Sequence, residues 1–214
     1  MCGIIGIISE EDVSSSIYES LTVIQHRGQD AAGMATLEDG KLHVRKQIGL
    51  VREVFRAQHI KNLKGKMGIG HVRYPTAGGV TREFSQPLYV NSPYGISICH
   101  NGNLVNSKEL TQELYENDLR HLNTDSDSEV ILNIFANEMQ KINSQSPSPE
   151  EIFSAVEKMH LRLKGAYSVV LMISGVGLLA IRDPNGIRPL MMGKKENDLL
   201  GKTDYMFASE SPAL

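Results

Sequence analysis

The sequence predicts an α+β layered fold built on antiparallel sheets. Three observations carry this: strand-like and helix-like segments come in clumps rather than in regular βα alternation, closely spaced strand pairs read as hairpins, and no internal repeat is present. The chain has 214 residues, 41% hydrophobic and 22% charged. That suffices for one large core burying ~70% of the unfolded surface, and it excludes disorder as the main state. A net charge of -3 argues against a nucleic-acid partner bound through bulk positive charge. The longest apolar runs, such as Tyr167 to Ile173, are too short to span a bilayer, and Met1-Cys2 carries no basic signal-peptide region. Two cysteines cannot form a disulfide framework, so the expected compartment is a reducing cytoplasm.

Taken in order, the β-branched run Cys2 to Ile8 reads as a buried strand. A helix follows, with Ser14 to Ser16 near its start, Val13, Ile17, Leu21 and Ile24 on one face, and Gly28 as the glycine past its end. Segments 31–37 and 41–48 read as strands joined through Glu38, Asp39 and Gly40, with further strands at 67–73 and 95–100. Residues 74–87, rich in Gly, Pro, Thr and Ser, form a loop long enough to be a lid or binding loop. Helices are expected at 107–118, with Asn106 and Glu109 as a capping box, at 127–141, and at 150–163, with Ser148 and Glu151 as a box and Pro149 at its first position. The stretch 143–149 is a surface linker, and strands at 166–173, 176–182 and near 205–209 complete the order.

Chemistry begins at Cys2. Aminopeptidase removal of Met1 would expose it as the N-terminus, carrying a thiol of pKa about 8.5 and an α-amine of pKa about 7.7–8.0. The amine can then act as the thiol's own general base. The competing reading is a buried apolar cysteine opening a strand. Gly3 leaves space for a substrate carbonyl, and the Asn101-Gly102 pair reads locally as a hairpin turn.

Five separated motifs accompany the MCGIIGI start in order: IQHRGQDAAG (24–33), GIGHVRYPTAG (68–78), ICHNGNL (98–104), NTDSDSEVIL (123–132) and RDPNGIRPL (182–190). Together they resemble the glutaminase domain of the amidophosphoribosyltransferase family, over essentially the whole chain. The resemblance implies a four-layer αββα sandwich of the N-terminal-nucleophile hydrolase type, two stacked antiparallel sheets flanked by helices. It implies that Cys2 attacks the glutamine carboxamide to give a glutamyl thioester, with the Asn101 side-chain amide and the Gly102 N–H as oxyanion donors. Arg73 matches the residue holding the substrate α-carboxylate and Asp127 the one receiving its α-ammonium, with an N-cap as the alternative role for Asp127. Thr76 is a supporting substrate contact, and Tyr74, Gly78 and Gly79 belong to a lid. Arg27 borders the site, Asp125 and Glu129 read as solvent-facing or capping, and His26, His71 and His100 as structural. Cys99 reads as a buried bystander, and no metal spacing is present.

The resemblance also implies L-glutamine as substrate and, in the full enzyme, a phosphoribosyltransferase domain and a homo-oligomer. It implies no cofactor within residues 1–214 and Mg2+ only in that other domain, whose acidic diphosphate-binding loop this chain lacks. With no propeptide before Cys2, the sequence resembles the branch without an iron–sulfur cluster. The rivals are the glutaminase domains of glucosamine-6-phosphate synthase and asparagine synthetase, a different N-terminal-nucleophile amidase, and a non-catalytic glutamine-binding regulatory module. QHRGQDAAG, HVRYPTAG and RDPNGIRPL favour the amidophosphoribosyltransferase family, which the resemblance places at the first step of purine biosynthesis, and the retained nucleophile, oxyanion pair and clamp argue against a silent module.

Overall fold

The computed structural model describes residues 1–74, 82–197 and 201–214. Ten strands form two antiparallel sheets: β1 (Gly3–Ile8), β2 (Ala31–Glu38), β3 (Lys41–Ile48), β4 (Met67–Arg73), β5 (Leu88–Val90), β6 (Ile96–Leu104), β7 (Gly165–Ile173), β8 (Gly177–Arg182), β9 (Met191–Asn197) and β10 (Lys202–Ala208). One sheet has the order β3-β2-β4-β1-β10-β9, the other β5-β6-β7-β8. Helices α1 (Ser14–Val23), α2 (Val51–Val54) and α3 (Ala57–Asn62) lie with the first sheet. Helices α4 (Ser107–Glu116), α5 (Asp127–Ile142) and α6 (Pro149–Arg162) lie with the second.

The period of two along each strand builds the layers. In β1, Ile5 and Ile7 face Ile17, Leu21 and Ile24 of the helical side, whereas Ile4 faces Cys99, Val170 and Met172 of the opposite sheet. In β7, Tyr167, Val169 and Leu171 pack with Leu132, Phe135 and Met139 of α5. Three apolar clusters thus separate four layers, helix, sheet, sheet and helix. With both faces covered, β1 is apolar throughout and buried except at its last residue. Among the described residues no helix is long and apolar enough to cross a membrane.

Most elements follow the sequence reading, including the 39–40 hairpin, where Asp39 (φ 49°) and Gly40 (φ 77°) take the left-handed backbone of a primed turn. The Ser148–Glu151 capping box also forms. Several expectations need correction. The Asn101-Gly102 pair is not a turn: β6 runs straight through it, with Asn101 opposite Ser168 and Gly102 opposite Tyr167. Asn106 makes no capping bond with its side chain; it stitches α4 to the start of β7, donating to Arg162 O at 3.0 Å and accepting from Lys164 N at 3.0 Å. Gly28 does not cap α1, because a 3₁₀ turn (Gln25–Arg27) intervenes and its backbone is extended. Gly28 lies against Arg73, where an added Cβ would sit 2.4 Å from the carbonyl carbon. Gly3 likewise serves packing, since a Cβ there would meet Ile24 and Val72 within 2.8 Å. Helices α2 and α3 and strands β5 and β9 escaped the sequence reading. The first three are three to six residues long, and β9 (MMGKKEN) is a polar edge strand without alternation.

Candidate active site

The layers bring the N-terminal end of β1, the C-terminal end of β4, the middle of β6 and the start of α5 to one cleft of about 260 Å³. Cys2, Arg73, Tyr74, His100, Gly102 and Asp127 are among its lining residues. Cys2 is half-buried, and the Tyr74 N–H points at its sulfur from 3.5 Å. Burial pushes the thiol above its ordinary pKa, against the lowering effects of the Tyr74 backbone, the Met1 ammonium and Arg73. The thiol is therefore protonated at neutral pH and needs a base before it can attack.

Behind Cys2 the main chain is held from two sides. Arg27, itself buried, donates from Nε to Cys2 O at 2.9 Å and pairs through a terminal guanidinium nitrogen with Glu210. The Ser209 hydroxyl accepts from Ile4 N at 3.0 Å, and the Ser209 N–H donates to Ile4 O at 3.1 Å. Neither Ser209 nor Glu210 drew notice in the sequence, because both bonds close across some 180 to 205 residues. Arg27, ahead of other neighbours, holds the Glu210 carboxyl below its ordinary 4.5. A depressed carboxylate stabilises the fold above its unfolded pKa, and this is lost as pH falls through the folded one. Glu210→Gln is expected to cost about 2 kcal/mol at pH 7, less than for a fully buried pair because Glu210 keeps contact with water. The gap between wild type and variant in chemical denaturation should start to narrow as pH falls past the free carboxyl value of about 4.3 and close only below the depressed folded one.

The hydrogen bonds along β6 define its open edge. The His100 N–H donates to Gln86 Oε1 at 2.7 Å and the Leu104 N–H to Asp127 Oδ2 at 3.0 Å, both away from β7. In an antiparallel ladder alternate residues turn their N–H groups to the same side, so Gly102 N–H points out between these two. Strand β5 pairs only with residues 96–98, so among the described residues no strand lies opposite Gly102 on that edge. A Cβ on Gly102 would sit 2.3 Å from Ala166 O and 2.6 Å from Tyr167 Cα, which is why this position takes glycine. Next to it, Asn101 is buried, and its amide Nδ2 has no hydrogen-bond partner among the described residues. A buried unpartnered donor is costly and calls for a ligand or a function.

Two fixed charges flank the cleft. Arg73 ends β4 and is buried, with its guanidinium carbon 5.3 Å from the Phe84 ring centroid. Asp127 is the first residue of α5, where the helix dipole favours an anion. It is not the N-cap: Ser126 holds that place and accepts from Ser128 N. Glu129 is buried rather than solvent-facing; its carboxylate takes the N–H groups of Asn123 and Thr124 at 2.9 and 2.8 Å and so orders the loop before α5. Asp125 lines the cleft. Thr76, Gly78 and Gly79 lie outside the described residues; Tyr74 is half-exposed at the rim.

The remaining singled-out residues support this frame. His71 reaches from one sheet to the other, donating from Nε2 to His100 O at 3.1 Å, and burial pushes its pKa down to about 3, so it stays neutral. Burial lowers His100 too, against Asp127, and its Nδ1 bonds Ser128 Oγ at 2.8 Å. His26 pairs with Glu210 at the surface. Cys99 is fully buried, its thiol pushed well above the ordinary range by burial. In RDPNGIRPL, burial opposes ionisation of Asp183, but N–H groups from Ile187, Arg188, Asn185 and Tyr167 outweigh it and knot the turn onto β7. Among the described residues no group of three His, Cys, Asp or Glu is placed to hold a metal ion.

A thiol, an outward backbone N–H, a cation and an anion thus share one cleft, and the buried Asn101 amide is carried by the residue before Gly102. Such a set can hold a zwitterionic head group and present a carbonyl carbon to sulfur. The model of the glutamine amidotransferase domain family matches residues 79–214. The chain belongs to the glutamine amidotransferase domain family. Its relatives include the amidophosphoribosyltransferase of Pseudomonas aeruginosa, 54% identical over 214 residues, which cover all of this chain and 42% of that protein. The glutamine phosphoribosylpyrophosphate amidotransferase of B. subtilis, solved with ADP and GMP, superposes with a TM-score of 0.80 at 34% identity, over 99% of this chain and 42% of that one. A structure described as the allosteric regulatory enzyme of purine biosynthesis gives 0.82 at 36% identity, over the same shares. This amidotransferase domain therefore spans well under half the length of these relatives, which carry a further domain.

Proposed function

We propose that the chain hydrolyses L-glutamine to glutamate and ammonia, as the ammonia-supplying part of an amidophosphoribosyltransferase. The observation that carries the chemistry is the β6 edge: an outward Gly102 N–H in the cleft that holds Cys2, next in the chain to the buried Asn101 amide, which has no partner among the described residues. Once Met1 is removed, the Cys2 amine takes the thiol proton and sulfur attacks the carboxamide carbon. Gly102 N–H and Asn101 Nδ2 receive the developing oxyanion. The protonated amine returns its proton to the leaving nitrogen, ammonia departs, and water hydrolyses the thioester. Arg73 takes the α-carboxylate and Asp127 the α-ammonium, so the reacting group is positioned by its distal charges. Thr76 is a supporting substrate contact, and Tyr74, Gly78 and Gly79 are the lid residues.

In the longer protein the ammonia passes to phosphoribosyl diphosphate, giving 5-phosphoribosylamine in the first step of purine synthesis, in the cytoplasm. The phosphoribosyltransferase domain is the partner, within a homo-oligomer. Relatives at this identity support the purine enzyme over the glucosamine-6-phosphate and asparagine enzymes. Glutamate and ammonia are expected in equal amounts from L-glutamine, measured with the chain and with the longer protein, with D-glutamine untouched. Conversion of asparagine as fast as glutamine, or of neither, refutes the reading.

A further inference from the structure

Gln86 falls in a segment that reads as loop, yet it is buried and sits where both sheets and α5 meet. Its backbone is locked. Lys46 Nζ donates to Ser85 O at 2.7 Å and to Pro87 O at 3.0 Å, and Gly33 approaches so closely that a Cβ would fall 1.9 Å from Gln86 O. Its side chain has a single orientation. Only Oε1 can accept from the His100 N–H, so Nε2 donates to Ser128 Oγ at 2.9 Å. The Ser128 hydroxyl then donates to His100 Nδ1. From the far side His71 holds His100 O. Both backbone groups of His100, two residues before Gly102, are therefore fixed by side chains rather than by a neighbouring strand.

We propose that Gln86 is a positioning residue that holds β6 beyond the last residue paired with β5, aims the Gly102 N–H, and ties it through Ser128 to Asp127. This rests on the function proposed above and adds a specific coupling: the oxyanion arm and the head-group arm share one amide. One bond of Gln86 serves the first arm and the other serves the second, so the two can be separated by substitution.

The test is labelling of Cys2 by diazo-oxo-norleucine, followed by intact mass, in the unmodified full chain and its variants. It gives a maximal rate, set by the oxyanion arm, and a half-saturating concentration, set by the head-group arm. Gln86→Leu removes both bonds at similar volume, and each parameter is expected to worsen about tenfold, the effect of one lost buried hydrogen bond. Ser128→Ala keeps the bond to His100 N–H; its half-saturating concentration should rise severalfold with the maximal rate within about twofold. Gln86→Glu keeps the acceptor for His100 and should restore most of the maximal rate but not the affinity. A folded Gln86→Leu with both parameters within twofold of wild type overturns the proposal. If that variant does not fold, the other two decide: equal losses in rate and affinity overturn it. Wild-type chain that takes no label at Cys2 overturns the underlying function instead, and the proposal with it.

Discussion

One adduct per chain, on Cys2, is the expected result of treating the protein with diazo-oxo-norleucine, and Cys2→Ala is expected to carry none. The two cysteines differ in access and in what surrounds the sulfur. Cys2 lines the cleft at the start of β1, with a main-chain N–H against its sulfur. Cys99 is fully buried between the sheets, and burial holds its thiol in the protonated, unreactive form. Loss of the nucleophile should lower glutamine hydrolysis by about 10⁴ or more, since the other groups bind and polarise but cannot form the thioester. The base matters equally. Burial also raises the Cys2 thiol, so neutral pH supplies little thiolate. With Met1 retained, the Cys2 nitrogen is a peptide amide and cannot accept the proton. Protein that keeps Met1 should therefore be nearly inactive, and protein that has lost it should gain rate with pH as its amine deprotonates. Full activity with Met1 in place would refute this mechanism.

Asn101→Ala is expected to lower the rate of hydrolysis by about 10²–10³, the usual cost of one oxyanion donor, while leaving stability unchanged or raising it. The second half of that statement is the sharper one. In the free protein Asn101 Nδ2 is a buried donor without a partner among the described residues, which costs about 1–3 kcal/mol of desolvation. Removing the amide relieves this cost, and the small cavity left behind works in the opposite direction. Thermal melting and steady-state rates should therefore move independently. A variant destabilised by several kcal/mol, with activity lost only in proportion to unfolded protein, would make Asn101 a structural residue and leave the oxyanion with Gly102 alone.

Legibility in the sequence followed the range of the interaction. The long helices α5 and α6, the strand runs and the Ser148 capping box were readable because their signals are periodic or lie within four residues. The proposed nucleophile, oxyanion pair and charge clamp were readable only through five motifs taken together, since no single one separates Asn101-Gly102 from a turn. That pair shows the limit: its local turn propensity yields to the register with Ser168 and Tyr167, which nothing local encodes. Gln86, Ser128, Ser209 and Glu210 stayed unnoticed for the same reason. Each is an ordinary polar residue whose partner lies far along the chain, and a buried polar bridge leaves no period to detect. Glu129 misled because a carboxylate at a helix start reads as exposed, whereas here it organises the loop before it.

Strand β1 lies between β4 and β10, its residues buried against α1 on one face and the second sheet on the other. The proposed reactive sulfur thus hangs from the part of the molecule that opens last. Fraying of the edge strands or of the rim of the cleft leaves Cys2 anchored, and only cooperative loss of both sheets releases it. Heat should consequently erode substrate affinity before it erodes the nucleophile's position, so an ageing preparation would lose grip on its substrate while its sulfur stays ready to react.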